Sequence, residues 1–278
     1  MKKNRHQMRG ICTGFRDLDM LTNGLCAGNL ILLAGRPSTK KIVFAMNIAE
    51  HVALSDELPV AVFLIEKDAG QVASSLLTKT RSVDQAELNL KASNDEKKNE
   101  DRLKDFVKHS GPNSLYLQEI PDLTVDRLRS DLYRLSQQYG QLRLIVLDSL
   151  QLLRDTTSLK EQSMASDMCS LANDLKLVAM ECQCPMLVLC ELPKDLEART
   201  YKRPKMKDLR TWGNIDQIAD LILCSYRDDI YNKNTLNPGI TEITVVKNVN
   251  GLVGKIPLGF QNAPSQQFLA LYSETDDY

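Results

Sequence analysis

Five short segments, each with at least four consecutive apolar residues, set the strongest constraint on how this chain folds. They are Asn29–Gly35, Pro59–Ile65, Leu142–Asp148, Pro185–Cys190 and Ala219–Cys224. An antiparallel strand with one wet face alternates apolar and polar residues. Continuous apolarity over four to seven positions marks a strand covered on both faces, as in a parallel sheet between helices. Helical spacing fills the intervals at about 41–54, 69–80, 124–139 and 161–181, and Pro121 and Thr124 supply a start signal for the third. Strand and helix in alternation predict a doubly wound, mostly parallel α/β sheet with right-handed crossovers. The tail breaks this rule. Thr241–Lys247 alternates with period two, Asn250-Gly251 follows, and Leu252–Phe260 completes an expected hairpin that adds antiparallel strands to the sheet.

With 278 residues, 43% of them apolar and 26% charged, the chain is expected to bury one large core as a single domain over residues 1–278. Lys plus Arg (35) nearly balance Asp plus Glu (36), which excludes a wholesale polycation and confines any nucleic-acid contact to a local patch. No apolar run approaches the ~18 residues of a membrane span, and the basic Met1–Gly10 segment leads into no apolar stretch that would make a signal peptide. The seven cysteines include no Cys-x-x-Cys pair, and several sit in apolar runs, the usage of reduced thiols in a cytoplasmic protein. Cys182-Gln-Cys184 lacks the second pair that a metal site needs. The charge-dense Lys91–Lys104 reads as solvated surface.

The first apolar run leads into Gly35, Arg36, Pro37, Ser38, Thr39, Lys40, Lys41 and Ile42, and then into a helix. This is where an α/β nucleotide-binding protein places Gly-x-x-x-x-Gly-Lys-Ser/Thr, whose backbone N–H groups cradle phosphates. Gly35 and Lys41 fit that pattern, whereas Lys40 stands at the second glycine and Ile42 at the hydroxyl.

Several blocks together resemble the C-terminal motor domain of the DnaB family of replicative DNA helicases. They are Gly10-Ile-Cys-Thr-Gly-Phe15, Gly35-Arg-Pro-Ser38, Leu144–Leu152 with its Leu150-Gln-Leu152, Lys202-Arg-Pro204, Asp208-Leu-Arg210, Gly213, Ala219-Asp220, Tyr226–Asp229 and Lys247–Gly251. The match runs in order from about residue 10 to 272. The resemblance implies a RecA-like three-layer fold, ATP and Mg²⁺ as ligands, and a ring around single-stranded DNA that moves 5′ to 3′. It implies that Lys41 pairs phosphate oxygens, that Glu66 polarises the attacking water and that Asp148 holds the metal. By the same likeness Lys247 joins the catalytic set. Arg210 and Gly213 fall in the loop that meets DNA phosphates. Four positions depart from the family pattern: Lys40 for glycine, Ile42 for Ser/Thr, Glu191 for a γ-phosphate-sensing glutamine and Val249 for the arginine that enters a neighbour's site. Loss of such an arginine alone costs about 10³–10⁵ in rate, or about 4–7 kcal/mol of transition-state stabilisation. The expectation is therefore a motor domain with weakened or lost ATPase activity, in which nucleotide binding is more readily kept than hydrolysis.

From Lys194 to Arg210 seven basic residues face three acidic ones, and Arg199, Lys202, Arg203 and Arg210 are the candidates for DNA phosphate contact. Trp212, the only tryptophan, has two placements open to it: stacked on a base or packed beneath the loop. The chain starts almost at the motor domain, so the family's N-terminal primase-binding domain is expected to be absent. The protein is read as a monomer or weak oligomer pairing with an intact helicase or its loader. The alternatives are an active ATP-dependent helicase and a nucleotide-independent interaction module.

Overall fold

The computed structural model describes residues 8–65, 69–70, 72, 115–154, 164–261 and 266–271. The five apolar runs form β1 (Leu30–Gly35), β2 (Val60–Leu64), β4 (Leu144–Asp148), β5 (Met186–Glu191) and β6 (Leu221–Arg227), and nearly every residue in them is buried. A further strand, β3 (Leu115–Glu119), has no counterpart among those runs. It lies at the sheet edge with its residues only half-buried, so it lacks the two-sided apolar signature. The sheet runs β3-β2-β4-β5-β1-β6 with every pair parallel. It then continues antiparallel through β7 (Ile240–Asn248), β8 (Gly254–Gln261) and β9 (Gln267–Ala270). The hairpin of β7 and β8 is the one the alternation predicts, while β9 is too short to have announced itself.

Helices α1 (Arg16–Thr22) and α2 (Lys41–Glu50) belong to one side of the sheet. Helices α3 (Val125–Tyr139) and α4 (Met164–Glu181) cover the other. The α2 helix ends earlier than its apolar spacing suggests and passes into a π-helical turn at His51–Ser55. The Thr124 hydroxyl caps α3 by accepting the Arg127 N–H at 3.3 Å. Most of the predicted helix 69–80, and the charged stretch Lys91–Lys104, lie outside the described residues.

Alternate strand residues feed two cores. Leu30, Leu32, Val188 and Ile222 pack with Leu128, Leu132, Leu171 and Leu175 of α3 and α4. Ile31, Leu33, Val62, Val146 and Leu189 pack with Phe44 and Ile48 of α2 and with Ile243 and Ile256 of the hairpin. Each fully buried Leu or Ile contributes roughly 1.5–3 kcal/mol relative to exposure, which makes this layering the main source of stability. Loops leaving the carboxyl ends of the parallel strands collect along one edge, where open α/β sheets place their ligand sites.

At the opposite edge Asp220 fastens three elements. Its Oδ2 accepts from the Leu30 N–H at 2.8 Å and from Lys176 Nζ at 2.6 Å, and that ammonium also reaches Gly28 O at 2.9 Å. Replacing Asp220 by alanine strands a half-buried ammonium and a strand N–H, at a cost of about 2–3 kcal/mol. The melting temperature of Asp220→Ala should fall by roughly 4–10 °C; an unchanged calorimetric transition would show the fastening to be idle.

Candidate functional site

The loop between β1 and α2 is held by contacts that its sequence makes specific. A Cβ on Gly35 would overlap Ser225 Oγ and lie 2.9 Å from Thr39 Oγ1, so only glycine ends β1 here. Thr39 Oγ1 in turn shares a 2.7 Å hydrogen bond with Ser225 Oγ and donates to Arg36 O at 2.8 Å. Pro37 opens a 3₁₀ turn over Pro37–Thr39, with Ser38 exposed on it. Lys40 then takes the left-handed conformation (φ 62°, ψ 35°), and α2 begins. No side chain caps α2. The N–H groups of its first turn, which have no acceptor within the helix, and the positive end of its dipole face the cleft. Lys41 is buried, and its Nζ donates to Gly35 O at 2.8 Å and Arg36 O at 3.2 Å. Arg36 points the other way: Nε to Glu197 Oε1 at 2.7 Å and Nη1 to Leu192 O at 2.7 Å.

Beside this loop lies a cleft of about 240 Å³. Lys41, Asp148, Ser149 and Glu191 supply its polar wall, while Pro37, Ile42, Leu152 and Leu189 supply the apolar one. Asp148 ends β4 and is 8% exposed. Glu66 lies outside the described residues. The backbone of Glu191 is fixed from two sides. Gln151 accepts its N–H at 3.1 Å and donates to its carbonyl at 3.1 Å, and the Trp212 indole N–H donates to the same carbonyl at 2.8 Å. Trp212 thus packs beneath the loop against the core on the α3–α4 side, joined to the cleft rather than presented to a base.

The basic segment is largely self-paired. Arg199 makes a two-point contact with Asp208 (3.0 and 2.8 Å), and Arg203 makes one with Glu242 (2.7 and 2.8 Å) while lying over the Tyr226 ring at 4.7 Å. Lys202 Nζ donates to Glu197 O and Arg199 O at 2.7 and 2.6 Å. These three candidates build the loop. Sequence reasoning missed this because Glu242 comes 39 residues after Arg203. Arg210 is different: its side chain is 61% exposed and touches Asp216 Oδ2 through Nε at 3.0 Å. Gly213 (φ +79°) serves packing, since a Cβ there would sit 2.5 Å from Cys169 Sγ and 2.6 Å from Ala165 O of α4.

Lys247 is not brought to the cleft of its own chain. It pairs with Ile222 near the start of β6, whereas Gly35 is level with Ser225 farther along that strand. Its Nζ is directed away from the cleft edge, to Asp216 O at 2.8 Å and Gln217 O at 3.1 Å. Val249 lies just past the end of β7 and is 57% exposed.

A strand, a tight turn and a helix meeting at the carboxyl edge of this strand order define an α/β protein of the RecA-like class. Residues 10–268 match the family described as the DnaB-like helicase C terminal domain, and the chain belongs to that family. The replicative DNA helicase DnaB of Haemophilus influenzae is 35% identical over 258 residues, covering 93% of this chain and 55% of that protein. The replicative DNA helicase DnaC of Bacillus subtilis is 34% identical over 260 residues, with 94% and 56% covered. The chain therefore spans about half the length of the curated relatives it matches. Among solved structures, one described as an ATPase domain superposes with a TM-score of 0.85 at 25% identity, covering 98% of this chain and 94% of that one. A DnaB-like replicative helicase, described with its interactions with primase, gives 0.84 at 24% identity with 98% and 64% covered, which is a likeness of fold. No helix among the described residues is long and apolar enough to cross a membrane.

A non-glycine residue in the left-handed region costs about 1–2 kcal/mol, part of which glycine's chain entropy offsets. Lys40→Gly should therefore raise stability by about 1 kcal/mol, read as a higher denaturation midpoint; a lower midpoint would mean that the Lys40 side chain itself stabilises the loop. The Arg36 hydrogen bond holds the Glu197 carboxyl below its ordinary range. A lowered carboxyl pKa stabilises the fold above the unfolded value near ~4.3, and that share is lost as pH falls through the folded value. Melting curves of the parent should accordingly fall more between neutrality and about pH 3 than those of Glu197→Gln. Parallel curves would show that Arg36 and Glu197 are uncoupled.

Proposed function

We propose that this chain is a DnaB-type motor domain acting in DNA replication in the cytoplasm, with a cleft that holds ATP but turns it over slowly or not at all. In this reading residues 1–278 form one motor domain that works beside an intact replicative helicase or its loader on single-stranded DNA. The observation that carries the reading is the composition of the cleft: Lys41 and Asp148 face the same space as Ile42 and Glu191.

The donor set suits a triphosphate. Lys41 and the uncapped start of α2 offer N–H donors and positive charge where the phosphates would lie. Mg²⁺ bound with a nucleotide requires one or two carboxylates, phosphate oxygens and waters. Asp148 supplies that carboxylate, while the Ile42 side chain offers no oxygen. When bound, the metal would neutralise charge on the phosphates. Glu191 places a carboxylate where added negative charge repels a polyanion. Thr39, the buried hydroxyl of the loop, is already engaged with Arg36 O and Ser225 Oγ. Lys247 is tied at the far side of its own sheet, so any contribution it makes to hydrolysis is made in another chain's cleft. There Val249 brings a hydrocarbon in place of a cation.

The course of the loop itself favours a second reading, an active helicase, since Lys40 keeps the turn a glycine would make. Steady-state ATPase assays with single-stranded DNA separate the two. The parent chain should show little turnover above its Lys41→Ala variant. The triple repair Lys40→Gly, Ile42→Thr, Val249→Arg should gain at least ~100-fold in a protein able to contact a second copy. Brisk, Lys41-dependent hydrolysis by the parent would replace the first reading with the second.

A further inference from the structure

Four arginines between residues 199 and 227 pair with carboxylates, and one does so differently. Arg199 meets Asp208, Arg203 meets Glu242 and Arg227 meets Asp229, each with two nitrogens on two oxygens. Such a fork commits the face of the guanidinium that a phosphate would use. Their side chains are 27%, 31% and 11% exposed. Arg210 gives Asp216 only its Nε–H, at 3.0 Å, and its side chain is 61% exposed.

The partner is as unusual as the arginine. Asp216 sits in α5 (Ile215–Ile218), is 5% exposed, and its second oxygen, Oδ1, is buried with no hydrogen-bond partner among the described residues. Leaving a buried carboxylate oxygen unmatched costs stability that a two-point pairing would recover. The same segment is gripped from behind by Lys247, whose Nζ holds Asp216 O at 2.8 Å and Gln217 O at 3.1 Å. Asp216 is thus a rigid post. It holds Arg210 by the inner nitrogen of the guanidinium on a side chain that is 61% exposed, which leaves the Nη pair for a tetrahedral oxyanion.

We propose that Asp216 is a positioning residue for phosphate recognition: it fixes Arg210 so that its Nη pair engages the backbone of a single strand of DNA. This rests on the proposed DNA contact and adds to it the residue that makes one arginine of the segment a phosphate ligand while its neighbours are framework. An unheld arginine keeps its charge but must be immobilised on each binding event, which costs roughly 2–10-fold in affinity.

The test is equilibrium binding of a fluorescent oligo-dT strand across a salt series, on the full chain. Arg210→Ala should weaken binding and reduce the slope of log K against log salt by about 0.7, the share of one contact on a single strand. Asp216→Ala should weaken binding roughly 3–10-fold although it removes a negative charge from a surface that meets a polyanion. It should have no such effect in an Arg210→Ala background, and Asp216→Asn, which keeps an acceptor for Nε, should restore parental affinity or better. Tighter binding by Asp216→Ala, or equal weakening with and without Arg210, would overturn the inference. Should Asp216→Ala not fold, Arg210→Lys decides. It keeps the charge without the held fork, and parental affinity in that variant would also overturn the inference. If Arg210→Ala changes neither affinity nor slope, the DNA reading of this arginine falls and the positioning role with it. Loss on Arg210→Ala but gain on Asp216→Ala removes the positioning role alone.

Discussion

The close seating of Ser225 against Gly35 is the contact on which the site depends. Because β1 ends without a side chain, β6 can bring a hydroxyl against its backbone, and that hydroxyl holds Thr39. Thr39 fixes the 3₁₀ turn, the turn sets Lys40 in its left-handed conformation, and α2 then starts with its donors turned to the cleft. A methyl group at residue 35 would push against the sheet itself. The loop's shape is thus inherited from strand packing rather than from its own flexibility, which explains how it keeps its course with a lysine where a glycine is easier.

From that loop two lines of contact spread through the molecule. Arg36 joins it to Glu197 and Leu192, and so to the segment built by Arg199, Lys202 and Arg203. On the other flank, Gln151 and Trp212 fasten the backbone of Glu191, and Trp212 stands two residues from Arg210. The cleft and the exposed arginine are therefore parts of one connected framework. Lys247 joins it through the Asp216 and Gln217 carbonyls, at the edge of the sheet away from the cleft.

Much of this was legible in the residue order, for physical reasons. Strands buried on both faces announce themselves as unbroken apolar runs, so β1, β2, β4, β5 and β6 could be read. The edge strand β3, half-wet along its length, could not. The place of the loop between β1 and α2 was visible because Gly35 and Lys41 stand at a strand end and a helix start. Its geometry at Lys40 was not, since a left-handed lysine has no local signature. The DNA candidates stand out by charge, and charge does not say which cations are already matched. Arg203 is paired through a carboxylate on another strand, and Arg199 through one that the net charge had already counted. Asp216 escaped notice because its role depends on burial and on an oxygen left unmatched, neither of which a sequence displays.

In the proposed reading the cleft combines a good anion cradle with a poor metal site: Lys41 and the start of α2 are offered to phosphates, while position 42 contributes hydrocarbon and position 191 a carboxylate. Such a cleft should take its nucleotide mainly through N–H donors and ammonium charge rather than through a chelated cation. The dependence of ATP affinity on Mg²⁺, measured by calorimetry on the unmodified chain with the metal in excess and then chelated, tests this directly. Affinity should change by less than ~3-fold between the two conditions. Tightening of an order of magnitude or more on adding the metal would mean that the cleft still clamps a metal–triphosphate complex and that the motor is not impaired in the way argued above.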